Sequence, residues 1–244
     1  MMSKPVVVAC LGSSTTAGKG QAFNWIAELE RRSQNSRLRF INFGVGGDLA
    51  YNALRRLPSV LAARPDKVVI LTGGNDVLAS VFKCVGFFFR LVKHLPKPPS
   101  PGWFDENVRS IVRRLKAETS AAIALVSVPQ VGEDPVPTDA TQRELNSLYG
   151  RYNGMIKEVA AKEGVAYIPF YERLHEQIAA CPGRAFTSFR FLSFYRDVFR
   201  YFILGRSTDE IAEMNGWRFH VDGVHLNSRG GKILADMVQE FLDA

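Results

Sequence analysis

The stretch Leu11-Gly12-Ser13-Ser14-Thr15-Thr16-Ala17-Gly18-Lys19-Gly20 follows directly on the apolar run Val6-Val7-Val8-Ala9-Cys10. A buried strand running into a turn of small and hydroxyl residues can cradle a phosphate or aim a nucleophile. Spacing separates the two. A phosphate loop needs four residues between its first glycine and the Gly-Lys pair, then Ser or Thr to hold a metal. Here five residues lie between Gly12 and Gly18, and Gly20 stands where the hydroxyl belongs. The turn therefore reads either as a plain strand-to-helix connection or as a nucleophile turn, and the rest of the chain has to decide.

Outward from this turn, short β-branched runs alternate with helix-period segments. The strand runs are Pro5 to Cys10, Leu38 to Phe43, Lys67 to Thr72, Ala121 to Val128 and Val165 to Pro169. Between them the spacing predicts helices over 21–32, 48–64, 104–118 and 141–163, with a last helix over 228–242. Asp139, with Gln142 three residues on, reads as a capping box for the fourth. This alternation argues for an α/β fold, a parallel five-stranded sheet with helices on both faces. Ligands bind such sheets beyond the carboxyl ends of the strands. The loops to read there are 12–18, 42–48 and 73–76.

The 244 residues, with 46% hydrophobic and 23% charged side chains, suit a single large soluble domain without repeats. A net charge of +7 leans basic but is scattered, so solvated lysines and arginines account for it more simply than nucleic acid does. Cys10, Cys84 and Cys181 are odd in number and far apart, which indicates neither a disulfide framework nor a zinc site. No stretch reaches the roughly 18 uncharged residues of a membrane span. The first apolar run is too short for a signal peptide and is needed as a strand. A cytoplasmic location is the expectation.

The chain has four histidines, His94, His175, His220 and His225. Only His225 stands in a promising context, Val221-Asp222-Gly223-Val224-His225-Leu226-Asn227. Gly223 permits a tight turn that would fold Asp222 onto one ring nitrogen of His225 and leave the other facing a serine, as acyl transfer requires. Taken singly, Asp222, Gly47 and Asn75 each have an ordinary turn or loop reading.

Together these residues resemble the GDSL-type or SGNH hydrolase superfamily of esterases and lipases. Its marks are a Gly-Asp-Ser-x-Thr-x-Gly turn, a Gly after the second strand, an Asn in Gly-x-Asn-Asp and a late Asp-x-x-His. Gly12 to Gly18, Asn42-x-Gly44-x-x-Gly47-Asp48, Gly73-Gly74-Asn75-Asp76 and Asp222-x-x-His225 match them in order. The resemblance implies a three-layer α/β/α sandwich of flavodoxin-like type and a cofactor-free carboxylic-ester hydrolase. It implies Ser14 as nucleophile, His225 as base, Asp222 as its orienting carboxylate, and the Ser14 N–H, Gly47 N–H and Asn75 amide as oxyanion donors. One position departs: Ser13 stands where the family usually has Asp. Register from Thr16 and Gly18 selects Ser14 over Ser13 as the attacking serine.

Two aromatic and basic segments, at about 79–103 and 183–215, exceed what a minimal hydrolase of this type needs. In the second, Leu192, Tyr195, Phe199 and Phe202 recur at helical spacing, with Arg190, Arg196 and Arg200 interleaved. Core packing is one expectation. The other is a hydrophobic lid or acyl channel whose arginines meet lipid phosphates or a membrane surface. The expected substrates are acyl esters or lysolipids, with deacetylation of sugars or small metabolites as the alternative within the enzymes. A catalytically silent binding module is the alternative outside them.

Overall fold

The computed structural model of the chain describes residues 4–20, 22–188 and 191–244, with the side chains of 191–194 excepted. Five parallel strands form one sheet in the order β2-β1-β3-β4-β5: β1 Val6–Gly12, β2 Leu38–Gly44, β3 Lys67–Leu71, β4 Ala122–Val126 and β5 Ala166–Ile168. All five runs of the sequence become strands; a sheet covered on both faces buries the near-continuous Val, Ile, Leu and Ala of β1, β3 and β4, whereas the edge strand β2 has no buried residue and β5 only Ile168. Val8, Ala9, Cys10 and Leu11 of β1 are all fully buried. Burial also pushes the Cys10 thiol far above its ordinary value, so it is held as a neutral core group.

The helices are α1 Ser14–Ala17, α2 Trp25–Glu30, α3 Ala50–Ala62, α4 Gly74–Val81, α5 Lys83–Val92, α6 Pro101–Glu118, α7 Ala140–Glu163, α8 Phe170–Ala180, α9 Phe191–Phe202, α10 Thr208–Asn215 and α11 Ser228–Asp243. They cover the sheet on both sides. Asp139 caps α7 by accepting from Gln142 N–H at 3.0 Å. The return half of the expected capping box is missing, because the Gln142 side chain turns inward to donate to the Val131 carbonyl at 2.8 Å and accepts from Phe186 N–H. The two basic, aromatic segments fold mainly into α5, α9 and α10. Among the described residues no helix is long and apolar enough to cross a membrane.

Candidate active site

At the end of β1 the chain turns through Ser13 into the single turn of α1, with Ser14 as its first residue. Gly12 is required there: a Cβ would lie 2.1 Å from Thr16 Oγ1 and 2.4 Å from the Leu71 carbonyl oxygen. Gly18 ends the turn in the left-handed region, at φ +58°. The turn is held from two sides. Asn42 on β2 donates to the Thr16 carbonyl at 2.9 Å, and Trp25 Nε1 donates to the Thr15 carbonyl at 3.0 Å. Ser13 is buried, whereas Ser14 is half-buried and lines a cavity of about 540 Å³.

The loop after β2 is fastened to this turn by Val45 N–H, which donates to the Gly12 carbonyl at 3.1 Å. It then presents Gly47 at φ +75°, and a Cβ there would stand 2.9 Å from Lys93 Cε. Asp48 fixes the loop from beneath. Its carboxylate accepts from Lys93 Nζ at 2.9 Å and pairs with Arg56, and Arg56 also donates to the carbonyls of Gly12 at 3.1 Å and Phe43 at 3.0 Å.

After β3, Gly73 adopts φ +127° and packs on Phe104 and Val128, and α4 begins. Asn75 in its first turn is buried, and its Nδ2 donates to the Asp48 carbonyl at 2.9 Å. A primary amide has a second N–H, and Asn75 borders the cavity. Asp76 points the other way and accepts from Ala50 N–H at 3.1 Å, at the start of α3. Burial pushes its carboxyl up to about 7, against the pull of that N–H.

The last component lies before α11. Asp222 Oδ1 accepts from the N–H groups of Val224 at 2.9 Å and His225 at 2.8 Å. Its Oδ2 stands 2.7 Å from His225 Nδ1. Gly223 makes the turn at φ +88°, where a Cβ would lie 2.6 Å from Trp217 and 2.8 Å from Phe186. Burial opposes the charge on Asp222. The charge and hydrogen bond of His225, with the two backbone N–H groups, outweigh it and hold the carboxyl well below the ordinary range. For His225, too, burial opposes charge and is outweighed by the Asp222 carboxylate, which raises the imidazole above its ordinary value. With Nδ1–H committed to Asp222, Nε2 is the nitrogen that can accept a proton.

The five residues singled out in the sequence, Ser14, Gly47, Asn75, Asp222 and His225, thus come from four separate segments and border one cavity. The remaining wall has an apolar part, from Leu78, Phe88, Phe89, Val92, Phe186 and Trp217, and a polar part that includes Lys93, Arg184, Arg196, Asp197 and Asn215.

The sequence profile of the GDSL-like Lipase/Acylhydrolase family matches residues 10–233. The chain belongs to this family. Among solved structures it resembles the lipase/acylhydrolase from Enterococcus faecalis, at 19% identity over 97% of this chain and 95% of the other, with a TM-score of 0.60. It also resembles an acetylxylan esterase from Geobacillus stearothermophilus, at 17% identity over 98% and 95%, with a TM-score of 0.63. A GDSL-like lipase from Bacteroides thetaiotaomicron aligns at 17% identity over 99% and 92%, with a TM-score of 0.60. No match is found among curated proteins. At these identities the structural matches speak for the α/β fold of the family.

Several supports of this GDSL-like site escape sequence reasoning. His220, which has no evident role in the sequence, is fully buried, with Nδ1 2.9 Å from Glu133 Oε1 and Nε2 3.0 Å from the Gln130 carbonyl. Glu133 also accepts from the N–H groups of Arg218, Phe219 and His220 at 2.8, 2.7 and 2.9 Å, and Gly132 N–H donates to the Gly223 carbonyl at 2.9 Å. The loop after β4 therefore grips the segment that carries Asp222 and His225. His175 packs against the Tyr171 ring, and its Nδ1 lies 2.7 Å from Gln130 Oε1. His94 is exposed at the end of α5. Of the second aromatic segment, Phe189 and Arg190 and the side chains of Phe191, Leu192 and Phe194 lie outside the described residues.

Proposed function

We propose that the chain is a serine esterase that cleaves acyl esters through an acyl-enzyme on Ser14. Its principal support is the convergence of Ser14 and the bonded pair Asp222–His225, 2.7 Å apart, on one cavity with two further donor groups. His225 Nε2 takes the Ser14 hydroxyl proton as Oγ bonds to the ester carbonyl carbon. The carbon–alkoxide bond then breaks, and the leaving alcohol receives that proton from His225. In the second half water repeats the attack and Ser14 is released with its proton restored. The negative oxygen formed in each half is met by the N–H groups of Ser14 and Gly47 and by the Asn75 amide. Asp222 keeps the imidazole in the tautomer with Nδ1–H and stabilises the imidazolium.

The apolar part of the wall, Leu78, Phe88, Phe89, Val92, Phe186 and Trp217, is large enough to favour a hydrophobic acyl group over acetate. The name of the Geobacillus relative, an acetylxylan esterase, supplies the competing reading, an acetyl group on a sugar alcohol. A panel of p-nitrophenyl esters from acetate to palmitate decides between them. Hydrolysis that peaks at medium or long chains supports the acyl site, and a strict preference for acetate overturns it in favour of the deacetylase.

A further inference from the structure

Among its described side chains, α9 turns an apolar stripe outward and a polar face inward. Tyr195, Phe199 and Phe202 recur at i, i+4 and i+7 and share one face, yet each is half to two-thirds exposed. Asp197, on the opposite face, is fully buried. Its carboxylate receives Arg200 at 2.9 Å, Arg196 at 3.3 Å and Asn215 Nδ2 at 2.9 Å. The same Asn215 amide donates to the Val221 carbonyl at 2.9 Å, beside Asp222. The polar face is thus the anchored one. The apolar stripe looks outward and runs on through the exposed Ile203 and Leu204.

α5 has a similar arrangement. Val85 and Phe89 are buried, Phe87 and Leu91 point outward one turn apart, and Phe88 and Val92 between these faces border the cavity while partly exposed. Tyr195 on α9 borders the same cavity. Two outward apolar stripes therefore lead into one mouth, and exposed apolar surface of this extent marks an interaction site.

The charge of the two segments identifies what they meet. Between Val77 and Phe104 stand Lys83, Arg90, Lys93 and Lys97 and no acid, and between Pro182 and Ser207 stand five arginines and the single buried Asp197. Together these two segments carry a charge of +8, against +7 for the whole chain, although Lys93, Lys97, Arg200 and Arg206 are paired with Asp48, Glu106, Asp197 and Glu210. Lys83, Arg90 and Arg196 are exposed beside the stripes, and Lys19 is exposed next to Gly20, over which the Phe202 ring lies. Aromatic and aliphatic side chains flanked by Lys and Arg are the chemistry of helices that lie in an anionic lipid interface. A second copy of the chain would bring two like-charged faces together.

We propose that the outward faces of α5 and α9 dock this protein on an anionic phospholipid bilayer, with the cavity mouth facing the lipid. Docking stands on the surface alone, whereas the delivery of lipid-phase esters to Ser14 rests on the esterase reading.

Cosedimentation with unilamellar vesicles tests the proposal. Phosphatidylcholine vesicles with a third of the lipid replaced by phosphatidylglycerol should pellet the protein. Binding to phosphatidylcholine alone, or in high salt, should be about tenfold weaker. Phe199→Ser with Phe202→Ser, and separately Phe87→Ser with Leu91→Ser, should weaken binding by about tenfold or more. Hydrolysis of a soluble p-nitrophenyl ester should be unchanged in both variants, which also reports that they fold. Ser14→Ala should bind vesicles like wild type. Wild type that ignores anionic vesicles, or variants that bind as well as wild type, would overturn the docking surface. Self-association abolished by the same substitutions, without vesicle binding, would overturn it in favour of a dimer. Vesicle binding without hydrolysis of any ester would overturn the esterase reading and leave the surface standing.

Discussion

Lys93 Nζ lies 2.9 Å from Asp48 Oδ1, so the segment carrying α5 is bonded to the loop that presents Gly47. Burial lowers the Lys93 ammonium below its ordinary value, with the nearby Arg56 charge acting in the same direction. Lys93→Met keeps the length of the stem and removes the bond. The expected result is a fall in kcat of about tenfold, from a loosened Gly47 loop, with a small change in melting temperature. Ester kinetics and a thermal scan on the same preparation check it, and an unchanged kcat would detach α5 from the reaction.

In the proposed mechanism Asn75 is the side-chain donor whose loss is simplest to interpret. Its Nδ2 bond to the Asp48 carbonyl, at 2.9 Å, holds the amide beside the cavity. Asn75→Ala should lower kcat by about 10²–10³, the usual cost of one oxyanion donor. A rate within about threefold of wild type on an accepted ester would remove it from that role.

His225 must be neutral to act as a base, and the Asp222 carboxylate raises it above the ordinary value of 6.5. Activity should therefore rise with pH through a midpoint above 6.5. Asp76, pushed up to about 7, titrates in the same range. The profile is best recorded in Asp76→Asn as well, where the His225 limb should persist. Asp222→Asn should reduce kcat by about 10⁴, through loss of the productive tautomer.

Glu133 makes a prediction about stability. Burial opposes its charge, but His220 and the backbone N–H groups of Phe219 and Arg218 outweigh it, and the carboxyl sits below its ordinary 4.5. A depressed carboxyl adds stability that is fully present above the unfolded value and is lost as pH falls through the folded one. Acid should therefore weaken the fold below about pH 4.5, through this pair among others. Glu133→Gln leaves buried donors without their carboxylate, and urea unfolding at neutral pH should show a loss of about 3–5 kcal/mol.

The fold was readable because β1, β3 and β4 are apolar runs buried in the sheet, a pattern that survives in one dimension. The four motif segments were readable because each is local, down to the three-residue step from Asp222 to His225. What was not readable is contact across long separations. Glu133 and His220 meet over 87 positions, and Lys93 finds Asp48 over 45. In α9 the helical period of Tyr195, Phe199 and Phe202 was visible, but a period does not say which face turns inward. The burial of Asp197 against Asn215, 18 residues on, decides that, and it sets the apolar stripe outward against the core-packing expectation.

Fluorophosphonate labelling followed by peptide mass analysis tests whether Ser14 is the nucleophile. One adduct on Ser14 is expected, with none on the buried Ser13 and no labelling of folded Ser14→Ala. An adduct on Ser13, or folded wild-type protein that takes up no label while another serine esterase in the same assay does, would contradict that role.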